Sequence, residues 1–204
     1  PRLMSARLYI GEEGNGKSTL LKAIYDKESI SEYALIEGSI YKEGCVIGYL
    51  SQEMESKYLN SDLKTYLTIK NVTSEDNIGR YSKLINDLGF IITAEDEHRM
   101  LSTFSGGEKI KIQLLVILSL TPDVLLLDEP TNDIDIHTLV WLEKFINSSR
   151  IPVMYVSHDE TLIENTANVI IHMETQKRKS ECSHSISRLS YSEYIRMRKY
   201  NLEK

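Results

Sequence analysis

The feature that most constrains the fold is a glycine-rich segment near the start of the chain, YIGEEGNGKSTLLKAI at residues 9–24. Apolar residues with strand character precede the glycines, and a helical pattern follows them. Glycine at this density costs conformational entropy, so a chain accepts it where the backbone must turn sharply or approach another group. Gly11, Gly16, Lys17 and Ser18 fit the pattern G-x-x-x-x-G-K-[ST]. The segment therefore predicts a strand, a phosphate-binding loop and a helix.

The chemistry of this loop suits a nucleotide. Backbone N–H groups of such a loop point at phosphates, and the helix N-terminus adds partial positive charge. We expect Lys17 to reach the β- and γ-phosphates and the Ser18 hydroxyl to bind Mg²⁺. The predicted nucleotide-binding residues are Gly11, Glu12, Glu13, Gly14, Asn15, Gly16, Lys17, Ser18 and Thr19. The alternative is a glycine-rich turn without a ligand. If a nucleotide binds, the two glutamates must point outward, because otherwise they weaken its binding.

Composition places the chain among globular proteins that have one large domain or a domain with a small subdomain. It has 204 residues, of which 41% are hydrophobic and 26% charged. Cys45 and Cys182 match no metal-binding spacing and favour a reducing, cytoplasmic setting. The longest apolar run, 114–118, is too short for a membrane span, so we expect no direct membrane insertion. Residues 176–204 contain eight basic and three acidic residues although the whole chain carries −6, which suits a polyanionic neighbour or a solvated helix.

Apolar runs and helical patterns alternate along the chain. This alternation predicts an α/β fold with a parallel sheet flanked by helices. The predicted helices cover 107–120 and 136–146, and the predicted strands cover 8–10, 46–50, 124–127, 153–156 and 169–173. The run 124–127 is apolar without alternation, which is typical of a strand buried on both faces.

Residues 54–104 differ from the rest because they lack strand-like runs and have apolar residues at helical spacing. Ser74 is the predicted N-cap of a helix and Gly89 its predicted stop. We expect a nucleotide-binding core from 1–53 and 105–175 with a helical subdomain at 54–104 inserted in it. A basic C-terminal helix, or the start of a linker, is expected at 176–204.

Three further segments carry candidate chemistry. The segment VLLLDEPTND places Asp128 and Glu129 at the end of a buried strand, where open α/β sheets bind ligands. There Asp128 would hold Mg²⁺ and Glu129 would act as general base on a water molecule, although many strands simply end in surface acids. His158 in YVSHDE also follows a strand directly, although a lone histidine is usually structural. Gln52 follows the strand at 46–50, a position where glutamine is usually a surface residue.

The segment TFSGGEKIKIQLL carries a capping box, in which Ser105 and Glu108 open an amphipathic helix. This pattern alone indicates only a helix start. Gly106 and Gly107 are costly in a first turn, and they make sense if an anion must approach the bare helix N-terminus.

Taken in order, these segments resemble the nucleotide-binding domain of ABC ATPases over roughly residues 7–173. Residues 11–19 resemble Walker A and 124–129 resemble Walker B with its catalytic glutamate. The remaining matches are the Q-loop glutamine Gln52, the signature motif Ser105, Gly106, Gly107 and Glu108, the D-loop aspartate Asp135 and the switch histidine His158.

The resemblance implies a P-loop NTPase fold whose first, antiparallel strands would lie upstream and are missing, so we expect a fragment. It implies ATP and Mg²⁺ as cofactors, with metal ligands Ser18, Gln52 and Asp128. The catalytic residues would be Glu129, His158 and Gln52. Two such domains would pair head to tail, as a homodimer or within one longer chain, so that Ser105, Gly106 and Gly107 serve the ATP bound by the other domain. Glu108 and Asp135 are further expected nucleotide-binding residues.

The segments FSGGEKIKIQLL, LLLDEPTNDID and VSHDE are similar to those of the ABC-F proteins. Members of that family act on the ribosome and reach toward tRNA with a basic linker. Two alternatives remain open at this stage. One is the ATP-binding subunit of an ABC membrane transporter. The other is a nucleotide-binding module that no longer hydrolyses, against which the presence of Glu129 and His158 argues.

Overall fold

A six-stranded sheet forms the centre of the molecule. The structure is a computed structural model that describes residues 6–10, 16–74, 77–175 and 182–202. The strands are β1 (Ala6–Ile10), β2 (Ile47–Leu50), β3 (Val124–Asp128), β4 (Val153–Val156), β5 (Val169–Thr175) and β6 (Cys182–Ser187). Their order is β2-β3-β4-β1-β5-β6. The first five strands run parallel, and β6 pairs antiparallel with β5. The predicted parallel α/β sheet is thereby confirmed.

The helices occupy both faces of the sheet and the segment between β2 and β3. They are α1 (Lys17–Tyr25), α2 (Ser56–Leu59), α3 (Leu63–Ile69), α4 (Ile78–Asp87), α5 (Ala94–Glu97), α6 (Gly106–Ser119), α7 (Ile136–Ser148), α8 (Glu160–Thr166) and α9 (Tyr191–Leu202), with 3₁₀ turns at Glu28–Ile30 and Leu101–Thr103. Within the residues described, no helix has the length and apolar character needed to cross a bilayer.

Alternate residues of β3 are buried in apolar clusters on the two faces of the sheet. Leu126 packs with Leu21 of α1 on one face. Leu125 and Leu127 join the larger cluster on the other face, which includes Leu114 of α6. All three β3 leucines are at most 1% exposed. A strand covered on both faces needs an unbroken apolar run, so the interpretation of 124–127 is confirmed.

A second apolar cluster joins the segment between β2 and β3 to α6. Its members are Leu63, Tyr66 and Leu67 of α3 with Ile112 and Val116 of α6, together with Met54, Val72, Leu101 and Phe104. Helix α6 therefore packs one side against the sheet and another against the helical segment.

The ends of α4 show one confirmed and one incorrect cap prediction. Gly89 follows the helix with φ of +64°, and the N–H groups of Gly89 and Phe90 donate to the carbonyls of Asn86 and Ile85. These two bonds are the Schellman pattern that a left-handed glycine permits. The N-cap prediction at Ser74 is wrong, because Asn77 occupies the N-cap and the Ser74 hydroxyl donates to a preceding carbonyl.

The C-terminal segment contains a strand that the sequence pattern does not reveal. Residues 182–187 pair with β5 before α9 begins, whereas a basic helix or linker was expected throughout 176–204. The strand reads CSHSIS, and its only large apolar residue, Ile186, is 61% exposed. Pairing with β5, and not apolar burial, therefore holds this strand. Helix α9 packs through Tyr194, which is 3% exposed.

Candidate functional site

The phosphate-loop helix α1 meets the end of β3 through one short hydrogen bond. The Ser18 hydroxyl donates to Oδ1 of Asp128 over 2.7 Å. Gly16 is the N-cap of α1 in the left-handed conformation, with φ of +72°, and Lys17 is buried in the first turn beside Ser18. The structure thus brings together predicted residues that lie 110 positions apart. Of the other predicted loop residues, Thr19 lies in this first turn, and Gly11, Glu12, Glu13, Gly14 and Asn15 lie outside the described residues.

Asp128 accepts a second hydroxyl that the sequence analysis missed. Tyr49 of β2 donates to Oδ2 of Asp128 over 3.0 Å, and Asp128 is 1% exposed. Burial raises the pKa of Tyr49, and the adjacent Asp128 carboxylate raises it further. The phenol therefore remains a proton donor. The available signal was a tyrosine on the strand that leads to Gln52, but nothing in the sequence alone pairs it with an aspartate 79 positions later.

Glu129 adopts a backbone conformation that L-residues seldom take. Its φ is +48°, in the left-handed region, and its side chain is 8% exposed. The strained turn is held by its N–H, which donates to the carbonyl of Val156 on β4 over 3.0 Å. A non-glycine residue in this region costs of order 1–3 kcal/mol, and such residues cluster at functional sites. Asn71, Thr121 and Asp133 share this backbone region, so the catalytic role of Glu129 stays a prediction that its side-chain contacts support.

The Glu129 carboxylate is held by His158 through both of its oxygens. The ring Nε2 of His158 lies 3.2 Å from Oε1, and the backbone N–H of His158 donates to Oε2 over 3.2 Å. Burial raises the pKa of Glu129, while His158 and Lys17 act in the opposite direction. A carboxylate with a raised pKa is a stronger base, which suits the proton-accepting role predicted for it. The His158 side chain is 62% exposed, so it can also meet a bound ligand.

Gln52 lies apart from the Ser18–Asp128 pair. It is exposed and lines a cavity of about 300 Å³ together with Gly106, Asn132 and Asp133. Among the described side chains, no hydrogen bond joins Gln52 to Ser18 or Asp128. Its predicted roles in catalysis and metal binding stay predictions, and the structure places it between the signature segment and the turn after β3.

The signature segment is a complete capping box. The Ser105 hydroxyl accepts the Glu108 N–H over 3.2 Å, and the Glu108 carboxylate accepts the Ser105 N–H over 2.7 Å. The sequence pattern did not predict the Arg99 contacts around this capping box. The Arg99 guanidinium lies 3.8 Å from Glu108 and 2.7 Å from Asp96, and it covers the Phe104 ring at 3.9 Å. The predicted capping box is confirmed, and the Arg99 cation, two residues after α5, lies beside it.

The two signature glycines are packed against the segment that follows β3, Gly106 against the turn and Gly107 against α7. A Cβ at Gly106 would collide with the backbone carbonyl oxygen of Asp133, and one at Gly107 would collide with the Thr138 side chain. Asp133 is itself in the left-handed region, with φ of +56°. Close packing within the chain is therefore a sufficient reason for both glycines, in addition to the predicted approach of an anion.

Asp135 serves as the N-cap of α7. Its carboxylate accepts the N–H groups of His137 and Thr138 and the Thr138 hydroxyl, at 2.8 to 3.0 Å. These bonds hold the pKa of Asp135 below its usual range. Asp135 is thus linked through Thr138 to the signature glycine Gly107, and it is not a partner of Asp128 or Glu129.

The residues at the end of β3 suit a magnesium ion. In the part of the chain that the structure describes, no three or more His, Cys, Asp and Glu residues are arranged so that they could hold a metal ion by themselves. Mg²⁺ is commonly bound through one or two carboxylates with substrate phosphates and water, and it prefers oxygen donors. The Ser18 hydroxyl and the buried Asp128 carboxylate, in direct contact, supply such donors.

Comparison with known proteins points to one family. A family model described as "ABC transporter" matches residues 6–132. The chain is 35% identical over 200 residues to ATP-binding protein Uup of Buchnera aphidicola subsp. Schizaphis graminum. The matched region covers 94% of this chain and 31% of that protein. Elongation factor 3 of Candida glabrata is 32% identical over a region that covers 86% of this chain and 16% of that protein. ABC transporter F family member 5 of Arabidopsis thaliana is 29% identical over a region that covers 91% of this chain and 32% of that protein.

Solved structures agree on the fold. A nucleotide-free ATP-binding cassette from an ABC transporter superimposes with a TM-score of 0.73 at 16% identity, over 94% of this chain and 83% of the other. The curated relatives are much longer than the matched region, since the chain spans less than a third of each of those three proteins.

Proposed function

Because the chain belongs to the ABC transporter family, whose ATP-binding domains typically hydrolyse ATP, we propose that it is the ATPase domain of an ABC-F type protein whose ATP-driven closure acts on the ribosome. The observation that carries the ATPase assignment is the Ser18–Asp128 hydrogen bond beside the Glu129–His158 pair. These contacts support the proposal, because a phosphate-loop hydroxyl, a buried carboxylate and the proposed general base Glu129 lie together near the carboxyl edge of one sheet.

The proposed reaction is in-line attack of water on the γ-phosphate. Glu129 accepts a proton from the water, the water oxygen bonds to phosphorus, and the bond to the β-phosphate oxygen breaks to give ADP and phosphate. Lys17 neutralises charge on the phosphates, and His158 donates to the transferring group. Mg²⁺, when bound, supplies further charge neutralisation, with Ser18 and Asp128 as its protein ligands.

The site is completed by a second domain of the same kind. Ser105 and Gly106 stand at the N-terminus of α6, where the helix dipole favours an anion. In the proposed head-to-tail pair they contact the other domain's nucleotide, with Gly107, Glu108 and Asp135 behind them. Closure on ATP and opening after hydrolysis would be the mechanical output.

Action on the ribosome is the finer part of the proposal. It is supported by the relatives that are named as an elongation factor and as an ABC transporter F family member. It is also supported by α9, where Arg196 and Lys199 are exposed on an otherwise acidic protein. Basic side chains on a surface helix are what contact with RNA phosphates requires. An exposed, unpaired Cys45 thiol fits the reducing cytoplasm in which we place the protein.

The ATPase assignment is tested by titrating the parent and Glu129→Gln proteins with Mg·ATP while binding and oligomeric state are followed together. Saturable binding in both proteins, with dimers accumulating only in the variant, is the expected result. Binding without dimers would indicate that the second domain lies in the same longer chain. Absence of binding in the parent contradicts the proposal.

The ribosome assignment is tested by co-sedimentation with ribosomes over a salt series. The double variant Arg196→Glu/Lys199→Glu should sediment less and show a weaker salt dependence than the parent. The control is Lys83→Glu/Lys144→Glu, which makes the same charge change at exposed positions of α4 and α7. Equal sedimentation of both variants, or recovery of the parent with a membrane permease and not with ribosomes, would favour the transporter alternative.

A further inference from the structure

Tyr49 stands outside every motif assigned above, yet it touches the residue at the centre of the site. Both oxygens of the Asp128 carboxylate accept a hydroxyl, Oδ1 from Ser18 at 2.7 Å and Oδ2 from Tyr49 at 3.0 Å. The three residues come from three elements, α1, β2 and β3. With Asp128 1% exposed, solvent cannot substitute for either donor at low cost.

The Tyr49 ring is itself held from two directions. The parallel register of β2 and β3 pairs Tyr49 with Leu126, and side chains two apart on a strand share a face, so Asp128 projects on the side of Tyr49. On the α1 side, Tyr25 at the last turn of α1 stacks on Tyr49 with ring centroids 5.0 Å apart and planes at 22°. The phenol is therefore a fixed donor.

We propose that Tyr49 is a positioning residue for magnesium binding, whose hydroxyl fixes the rotation of the Asp128 carboxylate so that Oδ1 faces Ser18. The proposal rests on the nucleotide-binding function proposed above. Rotation of an aspartate carboxylate about χ2 is only weakly restricted, so a carboxylate with one donor is free to turn. The donor on Oδ2 removes this freedom without occupying the oxygen that meets Ser18. Such partners of a metal ligand commonly matter 10- to 100-fold, as an order of magnitude, for metal affinity.

The test compares Tyr49→Phe with Tyr25→Phe. Each substitution removes one phenol oxygen from the same stacked pair and keeps both rings, but only Tyr49 contacts Asp128. The readout is the Mg²⁺ concentration that gives half-maximal binding of a fluorescent ATP analogue, measured beside binding of the same analogue in EDTA. Unfolding midpoints are recorded for the three proteins, so that a general loss of structure is recognised.

For Tyr49→Phe we expect the half-saturating Mg²⁺ concentration to rise about tenfold, with binding in EDTA unchanged. For Tyr25→Phe we expect the parent value. Parent-like Mg²⁺ dependence in Tyr49→Phe, or an equal rise in both variants, overturns the positioning role and leaves the ATPase assignment intact. If instead the parent shows no Mg²⁺-dependent binding, the proposed function fails and the positioning role fails with it.

Discussion

The end of β3 and the start of α6 solve opposite problems. At the end of β3, Glu129 has a left-handed backbone and a buried carboxylate, both of which cost stability. At the start of α6, Ser105 and Glu108 satisfy each other's N–H groups, which gains stability. The first arrangement is not favoured by its local sequence, whereas the second is explained by the local sequence alone.

This difference shows which observations support function. The strain at Glu129 is offset by a backbone bond to β4 and by contacts with His158, so the fold enforces a geometry that the local sequence does not favour. The capping box by contrast would be present in a protein without any nucleotide. The turn that contains Asp133 connects the two regions, because it follows Glu129 and packs on Gly106.

The largest expected effect is on turnover by Glu129→Gln. Loss of the general base should lower the steady-state ATPase rate by about 10²- to 10⁴-fold, while nucleotide binding persists because the phosphate loop is untouched. The measurement is phosphate release at saturating Mg·ATP. Glu95→Gln, at an exposed position of α5, is the control and should keep the parent rate. A parent-like rate in Glu129→Gln would remove the catalytic assignment.

The next effect is on stability at the signature glycines. Gly106→Ala and Gly107→Ala should each lower the free energy of unfolding by about 1–3 kcal/mol, because the new methyl group has no room beside Asp133 or Thr138. Urea denaturation measures this. The control is Gly79→Ala in α4, where nothing lies within 4 Å of the added carbon and alanine should stabilise by about 0.5–1 kcal/mol. Unchanged stability at both signature glycines would leave anion approach as their only explanation.

A smaller effect separates capping from function. Ser105→Ala and Thr93→Ala each remove the hydroxyl of a capping box, at α6 and α5, and should each cost about 1 kcal/mol of unfolding free energy. Only Ser105→Ala should also lower ATP turnover in the assembled pair of domains, since only Ser105 is proposed to contact nucleotide. Equal turnover in the two variants would reduce Ser105 to a helix cap.

The smallest expected effect is a pH-dependent gain in stability for Glu129→Gln. Burial raises the pKa of Glu129, so the folded chain binds this proton more tightly than the unfolded chain, and the associated stability is lost as pH rises through the folded pKa. The variant avoids this loss. Its melting midpoint should exceed that of the parent at neutral pH, and the difference should shrink as pH falls toward the ordinary glutamate pKa of about 4.3. A constant difference across pH would show that the gain does not come from ionisation.

Local patterns along the chain were sufficient to predict the parallel sheet, the phosphate-loop helix and the capping box of the signature segment. Such predictions depend on residues that are neighbours in sequence. Examples are an apolar run for β3, a glycine at C′ for the end of α4, and S-x-x-E for the start of α6. The family resemblance rests on the same short motifs, and the match to residues 6–132 confirms it.

Tertiary structure alone decided which distant residues meet. The contacts of Tyr49 with Asp128 and of Gly107 with Thr138 span positions that no local period connects. The pairing of β6 with β5 joins neighbouring segments, but no apolar pattern in 182–187 indicates it. The physical reason is that strand register and helix packing fix these distances, and both follow from how the whole core is filled. The residue types thus determined the chemistry of the candidate site. The packed fold determined its geometry, including the strained backbone of Glu129 and the second hydroxyl that donates to Asp128.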